Sequence, residues 1–140
     1  MSVYIAVQLQ RQIRLHFRDC CAYCQTAEAL TVVTFEFEHI VPLAAGGETK
    51  FENLALACPS CNRYKSDRQT AIDPLTNTAV ALFHPQQQVW RDHFQWNDTA
   101  TEIEGLTAIG RATISALRMN RPALTRVRSM WVKLGEHPPS

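Results

Sequence analysis

No apolar run in this chain of 140 residues approaches the roughly 20 that a membrane-crossing helix needs, which argues against a transmembrane protein. A basic leader is missing too. Met1-Ser2-Val3-Tyr4-Ile5-Ala6-Val7-Gln8 begins without positive charge and reaches Gln and Arg too soon for a secretory signal, so the cytoplasm is the expected compartment. Neither internal repeats nor low-complexity stretches occur. Acidic residues are absent from 105–135, where Arg111, Arg118, Arg121, Arg126, Arg128 and Lys133 give +6 in a chain of net charge +1. Residues 1–67 carry −1 and residues 68–104 carry −3. The basic segment is either an electrostatic footprint for phosphate or simply a basic helical face.

The 46% hydrophobic and 19% charged content is that of a folded globular protein rather than a disordered one. Leu9, Ile13 and Phe17 recur every four residues and predict an amphipathic helix over 7–18. The β-branched and aromatic run from Thr31 to Phe37 predicts a strand, and Gly46-Gly47 predicts a turn built on positive φ. Pro59 suits the first position of a helix over 59–67. Asp73-Pro74 and Thr76-Asn77 signal turns, Val80–Phe83 a strand, and the alternation through Phe94, Trp96 and 102–106 a hairpin. Helices are expected over 108–119 and 123–134. The division is therefore 1–72, a core with an N-terminal helix, and 73–140, a hairpin and two helices packed on it. Trp90, Phe94, Trp96 and Trp131 are candidates to stack on bases, though core packing is the more ordinary use of such residues.

Five cysteines, in two tight pairs with one over, suit a metal site in a reducing compartment better than a disulfide framework. Cys21/Cys24 and Cys58/Cys61 are both Cys-x-x-Cys, and four thiolates so arranged predict a closed, structural zinc site. Cys20 is left as a partly buried free thiol. The 33 residues between Cys24 and Cys58 leave room for a whole β-hairpin inside the zinc loop.

Enclosed by the pairs are Glu38-His39-Ile40-Val41-Pro42, the double glycine and Asn53-Leu54, with Cys58-Pro59-Ser60-Cys61-Asn62-Arg63-Tyr64-Lys65 closing the segment. His39 to Asn53 is 14 positions and Asn53 to Asn62 is nine. In these residues the chain resembles the HNH nucleases of the ββα-metal, or His-Me finger, superfamily. The resemblance runs from Cys21 to about Lys65. It implies an α+β fold: a ββα-metal core stapled by the four-cysteine zinc site, with a C-terminal hairpin and helical extension. It also implies a metal-dependent endonuclease acting on DNA, with no membrane partner and no small-molecule cofactor. On that reading His39 is the general base, Glu38 and Asn62 hold a catalytic divalent cation, and Asn53 braces the loop so that His39 stays aimed. Arg63, Lys65 and Arg68 are the candidates for holding phosphates, or else a solvated face. Glu36, on the same side of an ideal strand as Glu38, is either a solvated partner or itself the cation ligand.

Two departures from the commonest pattern bear on the cation: Asn62 stands where histidine is usual, and Glu38 where aspartate is. Oxygen donors of this kind suit Mg2+ or Mn2+. The expected products are a 5′-phosphate and a 3′-hydroxyl. Gly105-Leu106-Thr107, Gly110-Arg111-Ala112-Thr113 and Leu117–Pro122 resemble an extension found on some bacterial HNH proteins. The alternative class is a non-catalytic, zinc-stapled module that binds nucleic acid or acts as an adaptor; it has no use for Glu38, His39 and Asn62 at these offsets.

Overall fold

The structure is a computed structural model and describes residues 3–139. Helix α1 (Val7–His16) buries Ile13 completely, with Leu9 and Phe17 partly covered on the same stripe. Arg18 and Asp19, both at positive φ, end it and turn the chain into the first cysteine knuckle. Arg14 then reaches out of α1 to grip Glu28 through two bonds, 2.6 and 3.2 Å. A Glu28 oxygen accepts in turn from the Phe35 N–H at 2.7 Å, so the chain is delivered to the next strand from a fixed point.

That strand, β1, spans Glu36–His39, not the 31–37 that residue type suggests. Thr31 and Val33 bond each other locally through the Thr31 hydroxyl, and Phe35 gives its N–H to Glu28. Local side-chain bonding thus takes the backbone groups that a ladder would need. Val32 and Val33 are exposed. Strand β2 (Leu54–Ala57) pairs antiparallel with β1, placing Glu36 opposite Ala57 and His39 opposite Leu54. All four β2 side chains are fully buried. Helix α1 lies against β2, and helix α2 (Pro59–Lys65) lies against β1.

The link between β1 and β2 needs both glycines, for different reasons. Gly46 sits at φ +91 and closes a short 3-10 turn over Leu43–Ala45. Gly47 is not at positive φ; a Cβ there would lie 1.8 Å from the Val41 carbonyl oxygen. The second glycine is required by close approach rather than by backbone conformation.

Strand β3 (Thr70–Ile72), which carries no sequence signal of its own, pairs with β4 (Ala79–Ala81) around the Asp73–Asn77 turn. The hairpin therefore runs across positions 72 and 73. Leu82 still donates its N–H across to Gln69 O at 3.0 Å, while the Phe83 N–H is received by Thr113 Oγ1 at 3.0 Å, and both side chains enter the core. A short helix α3 (Trp90–His93) leads into β5 (Phe94–Trp96), paired with β6 (Ile103–Gly105). Helix α4 (Ala108–Leu117) is capped by Thr107, and α5 (Pro122–Lys133) starts on proline. Phe83, Phe94, Leu117 and Trp131 share one buried cluster with Ile13, Leu56 and the four paired cysteines.

The basic C-terminal segment is less uniformly exposed than its composition suggests. Arg128 is completely buried, bonding the carbonyls of Thr101 and Met119 and the side chain of Asn120, with Trp96 packed 5.1 Å from its guanidinium. Arg111 forms a two-pronged pair with Asp73, 3.0 Å on each arm. Trp90, Phe94 and Trp96 pack on one another, as core aromatics do. No helix among the described residues is long and apolar enough to cross a membrane.

Candidate active site and metal centre

The four sulfurs of Cys21, Cys24, Cys58 and Cys61 lie within 4.8 Å of one another, all buried, and none is in a disulfide. A tetrahedral Zn–S shell of about 2.3 Å radius has edges of about 3.8 Å. The Cys24–Cys58 sulfur separation is 3.8 Å. The donor set and its size therefore fit zinc. Cys58 has a second task. Its sulfur accepts the Cys61 N–H at 3.4 Å, so it caps the first turn of α2 in place of the usual Ser or Asp. The first knuckle is held to the hairpin by the Ala22 N–H, which bonds Leu56 O at 2.8 Å, and to the C-terminal half by the Trp90 indole, which donates to Tyr23 O at 2.8 Å. Cys20 is buried outside the cluster.

Helix α2 presents Asn62 and Lys65, three positions apart and so on one face, to Glu36 and Glu38, two apart on β1. The pairings are Asn62 with Glu36 and Lys65 with Glu38. Asn62 Nδ2 donates to Glu36 Oε1 at 2.7 Å on the exposed rim. Lys65 Nζ lies 3.0 Å from Glu38 Oε2, poorly aligned for a hydrogen bond and so chiefly an ion pair, and donates to Ile40 O at 3.0 Å. The Tyr23 hydroxyl donates to Glu38 Oε1 at 2.5 Å. Burial raises the Glu38 carboxyl above its ordinary range, while Lys65 and Tyr23 pull it back down.

These contacts bear on two expectations. Glu38 is engaged in the interior by Tyr23 and Lys65, and it is Glu36 that meets Asn62. Lys65, 2% exposed, cannot offer its ammonium to a phosphate on the surface. Arg63 and Arg68 are exposed; the Arg68 guanidinium also reaches the carbonyls of Tyr64 and Ala116.

His39 ends β1 half-buried, its Nε2 2.9 Å from Thr49 Oγ1. Burial lowers its pKa below the ordinary imidazole value. Thr49 is brought there by Asn53, buried just before β2. Asn53 accepts the Val41 N–H at 2.8 Å and donates to Val41 O and Glu48 O at 3.0 and 2.8 Å, drawing the 41–48 loop back onto the strand. Tyr23 and Thr49 carried no signal in the sequence beyond Tyr23 lying between two ligand cysteines, and Glu36 stood only as the alternative to Glu38.

Residues 21–68 match the family model described as HNH endonuclease. No curated protein and no solved structure matches the chain significantly. In a mixed α+β fold that continues into C-terminal helices, residues 21–68 are thus similar to an HNH endonuclease domain and hold a buried four-cysteine cluster consistent with a zinc site.

Proposed function

We propose that the chain is a metal-dependent HNH endonuclease that hydrolyses DNA phosphodiester bonds, with His39 as general base and zinc as structural staple. The observation that carries this is the state of His39. Inside the family-matched segment its ring is anchored through one nitrogen, and burial favours its neutral, proton-accepting form. In the tautomer whose Nε2–H donates to Thr49 Oγ1, the Nδ1 lone pair is left to take a proton from water. The hydroxide so formed attacks phosphorus, the bond from phosphorus to the 3′ oxygen breaks, and that oxygen takes a proton from solvent. The products are a 5′-phosphate and a 3′-hydroxyl.

The donor set for a second, hard cation is oxygen-rich. The contact between Glu36 and Asn62 supports Glu36, with the Asn62 amide oxygen, as the protein's ligands, ahead of Glu38. One exposed carboxylate and one amide suit Mg2+ or Mn2+, which keep several waters. Such a cation, when bound, supplies charge stabilisation to the phosphorane and the leaving oxygen. Glu38 then serves the site indirectly, by fixing α2 to β1 through Lys65.

Cleavage of supercoiled plasmid across a panel of divalent cations tests the reading. His39→Ala should lose about 10²–10⁴-fold in rate with zinc content and Tm unchanged. Full activity in that variant would remove His39 from the chemistry; a folded wild-type protein that shifts DNA and cuts under no cation would leave a binding module.

A further inference from the structure

Tyr64 follows Arg63 on α2 and faces the end of α4, where a cleft of about 540 Å³ opens between the two helices and β3. Three guanidiniums surround its ring, those of Arg63, Arg118 and Arg121, at 5.7, 4.8 and 6.0 Å from the centroid. Arg68 lines the same cleft and is strapped across it by carbonyls of both helices, Tyr64 and Ala116. Among the described residues none of these four arginines is paired with a carboxylate, whereas Arg111, nearby on α4, is paired with Asp73. Helix C-termini attract cations, which would account for one arginine at the end of each helix. Three around a single ring, with Arg68 in the same cleft, repel one another and go beyond that.

Arg118 adds an independent sign. It occupies the left-handed C-cap of α4, at φ 51 and ψ 52, a position that glycine ordinarily takes. The fold accepts a strained residue there, and the side chain it gains is the one closest to the Tyr64 ring.

We infer that the cleft between α2 and α4, with Arg63, Arg118 and Arg121 shelved on Tyr64, binds the phosphodiester backbone of a DNA duplex. This rests on the nuclease reading for its partner and deepens it, making the C-terminal helices part of the substrate interface. The chemistry fits. Guanidiniums on an aromatic shelf are pre-oriented and present several N–H donors to phosphate oxygens. Arg63, which lines the cleft, directly follows Asn62 on α2, so one short helix borders both the cleft and the Glu36–Asn62 contact.

The test is the anisotropy of a fluorescein-labelled duplex of about two helical turns, titrated over a range of salt in the His39→Ala background so that nothing is cut. Arg118→Gln with Arg121→Gln should weaken binding at least tenfold and reduce the slope of log K against log salt by about 2. Arg118→Gly removes one charge while giving the left-handed position its preferred residue. Its Tm should hold or rise while affinity falls and the slope drops by about 1. Unchanged affinity and slope in these variants would overturn the proposal and leave the nuclease reading standing. A wild-type protein that never cuts, yet binds with this arginine dependence, would keep the cleft and sink the nuclease reading. Preference for single-stranded RNA over the duplex, through the same arginines, would overturn the assignment to DNA.

Discussion

At the scale of single residues, the chemistry depends on which nitrogen of His39 is free and how readily it loses its proton. Burial lowers its pKa, so the imidazolium is disfavoured and the neutral, proton-accepting form persists below the usual midpoint. A general base works only when unprotonated, so activity must fall as pH falls. We expect kcat/KM for plasmid cleavage to be flat near neutrality and to drop on an acid limb with its midpoint below 6.5. Thr49→Val, which strips the ring of its Nε2 partner, should lower kcat about tenfold and leave KM in place, with Thr49→Ser restoring it. An acid limb centred above 7, or a Thr49→Val enzyme with unaltered kcat, would argue against the assignment. His39 and Asn53 could be singled out in the sequence because the resemblance names their types and intervals. Thr49 could not. Ten positions separate it from His39, and only the loop closure by Asn53 and the tight passage at Gly47 bring the two together.

Between elements, the decisive contact is that of α2 with β1. The helix was foreseen from Pro59, whereas the strand was expected over 31–37 and lies at Glu36–His39. Which carboxylate meets Asn62 was not foreseeable. Glu36 and Glu38 share a face, so strand alternation cannot choose between them. The choice depends on how far along β1 the helix sits, which the zinc cluster sets by holding Cys61. That same placement drives Lys65 inside, beside Glu38. Lys65→Met should then cost about 3–5 kcal/mol in urea unfolding, because it leaves a buried carboxylate without its counter-charge. Adding Glu38→Gln should recover much of that loss. A single-variant loss under about 1 kcal/mol would mean that Glu38 is already uncharged in the folded protein, and the ion pair would be no bond between the elements.

For the molecule as a whole, the turn signals at 73–77 are those of a boundary and equally those of a hairpin, since Asp-Pro and Asn serve both. Sequence alone could not tell them apart, because β3 is three residues long and gains its partner only in three dimensions. The contacts across that point are of several kinds. Gln86 donates to the carbonyls of Phe51 and Leu54 at 2.9 and 3.0 Å, Trp90 to Tyr23, and Phe83, Phe94 and Leu117 complete the cluster around Leu56. Zinc bound by the four cysteines would contribute about 10–16 kcal/mol, comparable to the whole stability of a small domain, and is expected to secure the cysteine knuckles by itself. It cannot replace the apolar surface that residues beyond 72 cover. We therefore expect the full chain with zinc to unfold in one cooperative thermal transition that chelation abolishes. A fragment of residues 1–72 should still bind one zinc through its four cysteines but show no cooperative transition, because β2 and the knuckle would lie open to water where Phe83, Trp90 and Phe94 now pack. If that fragment melted at the temperature of the full chain, the two halves would be separate units, and the arginine cleft between them would be a joint between domains rather than a feature of one.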